Sequence, residues 1–154
     1  MSTAPDTQLV ISRVFNAPRE AVFRAFTDPD QLSRWFGPVG WSVPRETIDQ
    51  DVRPGGHQRF AMVNDANPEE RSPVDAVFVE VIENELIVAT ERWDGVPDMP
   101  DGSVMEFRIE FHDLGDGTTR IELRQGPYTA QVRDMADMGW ESSFTKLDAL
   151  LAAA

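Results

Sequence analysis

Cysteine is absent from this chain of 154 residues. Its absence excludes disulfides, thiolate metal ligands and cysteine nucleophiles together, and it is typical of proteins kept in a reducing cytoplasm. Residues 1–6 have neither the basic nor the apolar segment of a signal peptide. No apolar run approaches the roughly 20 residues that span a bilayer. We therefore expect a cytoplasmic protein with no membrane insertion.

Positive charge is scarce. Basic residues number 14 against 27 acidic ones, which gives a formal net charge of −13. Such a surface repels phosphate backbones and anionic membranes, so we expect no nucleic-acid partner. The hydrophobic content of 41% is that of an ordinary folded domain. A domain of this length can fold without a disulfide or a structural metal.

The motifs of common catalytic sites are missing as well. The two histidines, His57 and His112, stand far apart in the sequence, and His112 falls on the polar side of its strand, facing solvent. There is no serine nucleophile elbow and no phosphate-binding loop. We therefore expect no catalytic residue, no metal site and no cofactor.

The N-terminal third predicts one strand followed by two short helices. Residues 1–7 form a loose tail, and residues 8–154 form one domain. Alternation predicts a strand over 8–15. A helix then starts at Pro18, with Asn16 or Ala17 as its cap, and the Asp28-Pro29 pair ends it and begins a second helix over 29–35.

The middle of the chain has the twofold period of strands. Alternating apolar and polar residues indicate an antiparallel sheet with one dry face and one wet face. Residues 65–72 and 95–102 read as loops, and Pro44 marks an edge or a bulge. The predicted strands cover 41–52, 57–63, 74–82, 86–93, 103–112 and 118–125.

From about residue 130 the period changes to that of a helix of about six turns. Its apolar face carries Val132, Ala136, Gly139, Trp140, Ser143, Phe144, Leu147, Leu150 and Leu151. One helix covers only part of a twisted sheet, so we expect a cavity beside it. Gly139 in mid-helix indicates either close helix–sheet packing or room for a ligand.

Four segments resemble a known family. They are Asn-Ala-Pro-Arg-Glu-Ala-Val-Phe at 16–23, Leu-Ser-Arg-Trp-Phe-Gly-Pro at 32–38, Asp-Val-Arg-Pro-Gly-Gly at 51–56, and Gly139-Trp140 followed by Leu147. In this order they resemble the activator-of-Hsp90-ATPase-homologue-1-like (AHSA1-like) family of the START-like (SRPBCC, helix-grip) superfamily. The resemblance covers about residues 8–152 and implies an α+β helix-grip fold. In that fold a curved seven-stranded antiparallel sheet surrounds a long C-terminal helix, with two short helices between strands 1 and 2.

The functional implication of the resemblance is broad. The superfamily includes binders of lipids and polyketides as well as cyclases, so the fold does not fix the function. Residues 64–76 depart from the glycine-containing hairpin usual in relatives. The eukaryotic co-chaperone of the family has a further domain that contacts Hsp90. Nothing in this sequence corresponds to that domain.

The aromatic residues suit a pocket for a small hydrophobic molecule, with plain core packing as the alternative for each. Asp49, Asp51 and Arg53 share one strand face, either as an ion pair at a turn or as a polar group at the pocket mouth. Glu91 or Arg92 could place one charge inward. The residues that we expect to line the cavity are Trp35, Phe36, Trp41, Phe60, Met62, Trp93, Phe107, Val132, Ala136, Gly139, Trp140 and Ser143.

Three functional hypotheses follow. The first is non-catalytic binding of a small hydrophobic ligand, such as a lipid, between the sheet and the C-terminal helix. The second is a cofactor-independent enzyme, cyclase- or hydratase-like, that uses the same cavity through an inward acid or base with a shifted pKa. The third is an interaction module for a chaperone or stress-response partner, which a large exposed apolar patch would support. The oligomeric state, monomer or homodimer, is left open.

Overall fold

The structure is a computed structural model that describes residues 7–96 and 98–153. The predicted tail at 1–7 therefore lies outside the described residues except for Thr7, which begins the first strand. A 3₁₀ turn at Arg45–Thr47 separates the short strands Trp41–Ser42 and Asp49–Gln50. The helices and strands are β1 Thr7–Phe15, α1 Arg19–Thr27, α2 Pro29–Trp35, β2 Trp41–Ser42, β3 Asp49–Gln50, β4 His57–Asn64, β5 Asn67–Ile82, β6 Leu86–Trp93, β7 Ser103–Asp113, β8 Thr119–Tyr128 and α3 Ala130–Ala152.

All strands belong to one antiparallel sheet. Its order is β1-β8-β7-β6-β5-β4-β2, and β3 pairs with β4 beside β2. The sheet is long and curved, with α3 as the long C-terminal helix and α1 and α2 between the first two strands. The predicted α+β helix-grip architecture is confirmed.

The predicted strand over 41–52 is wrong as a continuous element. Only Trp41–Ser42 and Asp49–Gln50 pair with β4, at separate places along it. Between them Pro44 precedes the 3₁₀ turn. Proline has no N–H to contribute to a ladder, so the chain leaves the sheet there and returns. The split also explains why the sheet has eight strands where seven were predicted.

The predicted loop over 65–72 is also wrong, because β5 starts at Asn67. Backbone pairing with β4 runs from Asn64–Asn67 to His57–Val77, whereas pairing with β6 begins only at Ala76. The first part of β5 is therefore a sheet edge. An edge tolerates Pro68, Pro73 and exposed charged side chains, which is why the sequence looks like a loop.

The first helix begins one residue later than predicted. Its N-cap is Pro18 itself, which makes no side-chain cap hydrogen bond, and Arg19 is the first helical residue. The second helix spans Pro29–Trp35 as predicted, because the Asp28 carboxylate accepts from the backbone N–H of Asp30 and Pro29 occupies the first turn.

The long helix is fixed to the sheet by a buried aromatic contact and an ion pair. Phe144 is fully buried and meets Phe15 of β1 edge-to-face, with ring centroids 5.3 Å apart. Beside them Arg13 donates to both carboxylate oxygens of Asp148, at 3.0 and 2.8 Å. Its guanidinium also lies 4.9 Å from the Phe15 ring centroid. Such bidentate, ring-stacked arginines are geometrically specific, so they fix the position of α3 along β1.

Among the described helices, none combines the length and the apolar character that a membrane crossing requires.

The turn before β4 requires glycine at position 56. A Cβ on Gly56 would lie 2.0 Å from the backbone oxygen of Asp51 and 3.0 Å from that of Arg53. We predict that Gly56→Ala lowers the free energy of unfolding by about 1–3 kcal/mol, because backbone atoms must move to admit the methyl group. Thermal or urea denaturation measures this change. A melting temperature equal to that of the wild type would contradict it.

Candidate functional site

A cavity of about 310 Å³ lies between α3 and the sheet. Its wall is built by α3, by the end of α2 with the Gly37-Pro38 segment that follows it, and by strands β4 to β8. Several wall residues, among them Phe36, Met62 and Trp140, are half-buried, so the cavity is open to solvent on one side. At this cavity the single long helix α3 does not cover the curved sheet.

Small residues of α3 create the space. Ala136, Gly139 and Ser143 lie on the cavity wall at helical spacing. A Cβ built on Gly139 would meet no heavy atom within 4 Å. The geometry therefore fits the interpretation that Gly139 leaves room for a ligand, rather than the one that it allows close helix–sheet packing. The Ser143 hydroxyl donates to the Gly139 carbonyl at 2.9 Å, so that hydroxyl is occupied within the helix.

Trp140 is held rigidly beside this space. Its ring lies edge-to-face on Phe36, with centroids 5.5 Å apart, and stacks on Phe107, with centroids 5.8 Å apart. Its indole N–H donates to Oε1 of Gln125 at 2.9 Å. Phe36 in turn meets Phe60, with centroids at 4.9 Å. The aromatic wall is thus preorganised by mutual contacts, which lowers the ordering cost of binding.

The structure places nine of the twelve predicted residues on the cavity wall. They are Phe36, Phe60, Met62, Trp93, Phe107, Ala136, Gly139, Trp140 and Ser143. They come from α3, from the end of α2 and from three strands, β4, β6 and β7, which the sequence pattern had placed around one interior. Whether they contact a ligand remains a prediction.

The other three predicted residues lie elsewhere. Trp35 is fully buried, and its indole N–H donates to the Ala25 carbonyl at 2.8 Å, so it is a core residue between α1 and α2. Trp41 sits on the two-residue edge strand β2. Val132 packs into the core in the first turn of α3, one turn before the cavity-lining stretch begins.

Glu91 is the principal polar residue of the wall. Alternate residues of β6, namely Ile87, Ala89, Glu91 and Trp93, all line the cavity. The Trp93 indole N–H donates to Oε1 of Glu91. Burial in this apolar setting raises the pKa of Glu91 to about 7, and the nearby Asp75 carboxylate adds to the increase. The alternation of inward and outward residues along β6 could by itself have shown that the inward charge belongs to Glu91 and not to Arg92.

Tyr128 lies next to Glu91 and was not singled out from the sequence. Its ring centroid is 5.5 Å from that of Trp93, and it lines the cavity. Burial, and then the charge of Glu91, raise the pKa of the Tyr128 phenol far above its usual range. Gln58 and Gln125 complete the polar wall from β4 and β8. Tyr128 has the opposite parity to the buried residues Thr119, Ile121 and Leu123, and the β1–β8 register shifts at this end, so the alternation of β8 could not have found it.

The other polar candidates point away from the cavity. Arg53 pairs with Asp51 at 2.7 Å at the turn before β4, and Asp49 meets His57 at 3.0 Å. These are exposed pairs, which contribute little to the stability of a fold because water screens them. Arg92 pairs with Asp94 at 3.2 Å on the surface. The ion-pair interpretation of the 49–53 segment therefore fits the structure.

His112 lies in a small cluster on the opposite side of the sheet. Atoms of Glu110, His112 and Glu122 that could ligate a metal lie within 4.8 Å of one another. Both carboxylates are already used by arginines, since Glu110 meets Arg108 at 3.1 Å and Glu122 meets Arg124 at 2.6 Å. The His112 ring nitrogen lies 3.0 Å from Glu110. Ion pairs between these surface side chains therefore explain why the three residues lie close together.

Comparison with known proteins identifies the family. The sequence profile of activator of Hsp90 ATPase homolog 1-like proteins matches residues 16–152. The chain belongs to this family. No curated protein matches it significantly.

Solved structures support the same assignment. A Chromobacterium violaceum protein is 26% identical, with a TM-score of 0.80 over 94% of this chain and 96% of its own. The AHSA1 protein of Silicibacter pomeroyi is also 26% identical, with a TM-score of 0.80 over 96% and 99% of the two chains. A Rhodobacter sphaeroides protein, at 19% identity and a TM-score of 0.78 over 97% of both chains, shows the fold alone. Family and fold support a ligand-binding or chaperone-like module and specify no ligand.

The open surroundings of Gly139 generate a stability prediction. Gly139→Ala should raise the free energy of unfolding by up to about 1 kcal/mol, because alanine favours the helix and its methyl group meets no neighbour. Gly56→Ala, whose methyl group collides with backbone, should have the opposite sign in the same denaturation experiment. A destabilised Gly139→Ala would show that this side of α3 is closely packed.

The raised pKa of Glu91 predicts a pH-dependent stability. Between about pH 4.5 and pH 7 the unfolded chain loses this proton while the folded chain keeps it, so the free energy of unfolding falls as the pH rises. Glu91→Gln removes that titration and keeps the acceptor for Trp93. We expect Glu91→Gln to be more stable than the wild type by about 1–3 kcal/mol at pH 8 and equal to it near pH 4.

Denaturant melts across this pH range measure the difference. Glu106→Gln is the matched control, because Glu106 is exposed on β7 and its removal changes the net charge equally. A difference between Glu91→Gln and the wild type that does not vary with pH would contradict the inward carboxyl.

Proposed function

We propose that this protein binds a small hydrophobic molecule, without catalysis, in the cavity between α3 and the sheet. The observation that carries the proposal is Gly139, a helix-weakening residue whose missing side chain leaves open space on a preorganised aromatic wall. The ligand would contact Phe36, Trp93, Phe107 and Trp140.

The size of the cavity supports a small ligand. A volume of about 310 Å³ lies at the lower end of the range of about 300–1,000 Å³ found for small-molecule sites. Burying roughly 300 Å² of apolar ligand surface would contribute about 7 kcal/mol before the losses of freedom on association. A micromolar dissociation constant corresponds to about 8 kcal/mol, so apolar burial alone predicts binding weaker than micromolar. The aromatic wall favours a flat or aliphatic body.

Acid–base catalysis is the second candidate, and Glu91 is the observation that favours it. A carboxyl group with a pKa of about 7 can both accept and donate a proton near neutral pH. In this alternative Glu91 is the catalytic residue and the same cavity holds a reactive substrate. Turnover that survives metal chelation and disappears in Glu91→Gln would favour this function over simple binding.

The interaction-module hypothesis has less support on the outer face of the sheet. Exposed valines there are interleaved with arginines, since Val10 pairs with Arg124 and Val104 with Arg92. Such alternation breaks apolar surface into small pieces, whereas protein-binding sites present contiguous patches of several hundred Å².

A neutral fluorescent probe tests the binding proposal. N-phenyl-1-naphthylamine should bind the wild type saturably with one-to-one stoichiometry. Gly139→Leu should abolish this binding while the melting temperature stays at or above that of the wild type, because the leucine side chain fills the cavity.

Met138→Leu serves as the matched control, because Met138 is the exposed neighbour of Gly139 on the same helix. It should leave the probe affinity unchanged. Probe binding that survives Gly139→Leu, or that fails to saturate on the wild type, would remove the basis of the proposal.

A further inference from the structure

The cavity wall carries one charged side chain. Among the described residues that line it, Glu91 is the only one with a formal charge at neutral pH, and no arginine, lysine or histidine lies among them. The remaining polar groups are amides and hydroxyls, for example those of Gln125 and Tyr128. A ligand therefore meets negative charge at one point of an otherwise neutral wall.

No cation among the described residues compensates this carboxylate. Across residues 7–96 and 98–153, Glu91 forms no salt bridge, and its carboxylate accepts hydrogen bonds from the Trp93 indole and from the backbone of Asp75. The neighbouring Arg92 is on the surface with Asp94. The nearest charged influence is Asp75, which is itself negative and is paired with Arg59 at 3.1 Å. Carboxylates withdrawn from water are normally paired, so half-buried Glu91 has capacity for a positive partner.

Aromatic rings lie beside the same carboxylate, and their faces, rather than the Trp93 N–H edge that meets Glu91, attract cations. Trp93 bonds directly to Glu91, and Tyr128 lies against Trp93 at a centroid distance of 5.5 Å. The faces of such rings attract ammonium groups, with tryptophan the strongest. Outside the cavity, the net charge of −13 attracts cations and repels anions as they approach.

We infer that the ligand is a hydrophobic amine, bound with its ammonium group on the Glu91 carboxylate beside Trp93 and Tyr128 and its apolar body against Phe107 and Trp140. This inference rests on the proposed binding function and adds the class of ligand. A carboxylate amphiphile, such as a fatty acid, would place a second negative charge beside Glu91 with no cation to receive it. A neutral alcohol would donate a hydrogen bond but gain no charge attraction.

The titration of Glu91 supports the same assignment. Its pKa is about 7 because burial disfavours the ionised form. An ammonium group would stabilise that ionised form, so amine binding would be coupled to release of the Glu91 proton. The other titratable groups facing Glu91 are Asp75 on β5 and Tyr128 on β8. Amine affinity should therefore fall by up to about tenfold per pH unit below pH 7 and level off above it.

Three ligands of one shape test the inference by calorimetry at pH 8. They are 2-naphthylmethylamine, 2-naphthylmethanol and 2-naphthoate. On the wild type we expect the amine to bind at least about tenfold more tightly than the alcohol, and the naphthoate more weakly than the alcohol. In Glu91→Gln the amine should lose about tenfold or more in affinity, while the alcohol stays within about threefold. Glu106→Gln, the surface control, should behave as the wild type.

The outcomes separate the two proposals. If the alcohol binds and Gly139→Leu blocks it, but the amine is no tighter than the alcohol, the amine inference fails and the binding function stands. A naphthoate that binds best also overturns the inference. If none of the three binds the wild type, both proposals fail. A wild-type amine affinity that does not weaken between pH 8 and pH 6 would place the ammonium away from Glu91 and overturn the inference independently of any variant.

Discussion

One helix has to cover the inner face of a curved sheet, and the rest of the molecule follows from how it does so. The C-terminal half of α3 makes this contact with Phe144 and Leu147, both fully buried, and Arg13 fixes its position through Asp148. The first turn of the same helix also packs, through Val132, but the stretch from Ala136 to Ser143 turns small residues towards the sheet. A straight helix cannot follow a twisted surface along its whole length, so part of it stands away from the sheet. The cavity lies in that separation.

Two parts of α3 thus differ in their packing. Close packing around Phe144, where Phe15 and Trp140 also meet the ring, supplies the stability of the helix–sheet interface. That rigid contact lets the stretch from Ala136 to Ser143 remain open without loss of the fold. The same division explains why Trp140 matters to both parts. Its ring contacts Phe144 on the packed side and also forms part of the cavity wall.

Sequence periodicity predicts this architecture well where side chains determine it. The strands 103–112 and 118–125 and the face of α3 were predictable because burial imposes the period directly. Prediction failed where backbone hydrogen bonding, rather than side-chain burial, determines a strand. The first part of β5 is an example, because its polar residues pair with β4 and need no apolar side chain. Nine wall residues were predictable as apolar residues facing one interior. The hydrogen bond from Trp93 to Glu91 was not predictable. Whether two side chains two positions apart on one strand bond to each other depends on their rotamers rather than on composition. That the Glu91 side chain points inward was predictable from the alternation of residues along β6.

Two features of the cavity work against folding, and they occur on the same wall. Gly139 weakens the helix where no neighbour requires a glycine, and Glu91 places an ionisable group in apolar surroundings without a cation. A sequence shaped only by stability would favour alanine at the first position and an apolar or amide side chain at the second. Departures from local consistency in a protein are expected at its functional sites, and the fold elsewhere compensates for them. Gly139 lies on α3 and Glu91 on β6, far apart in the chain, yet both face one cavity. That coincidence argues that the cavity, rather than the packed core, is the part of this molecule whose composition reflects its function.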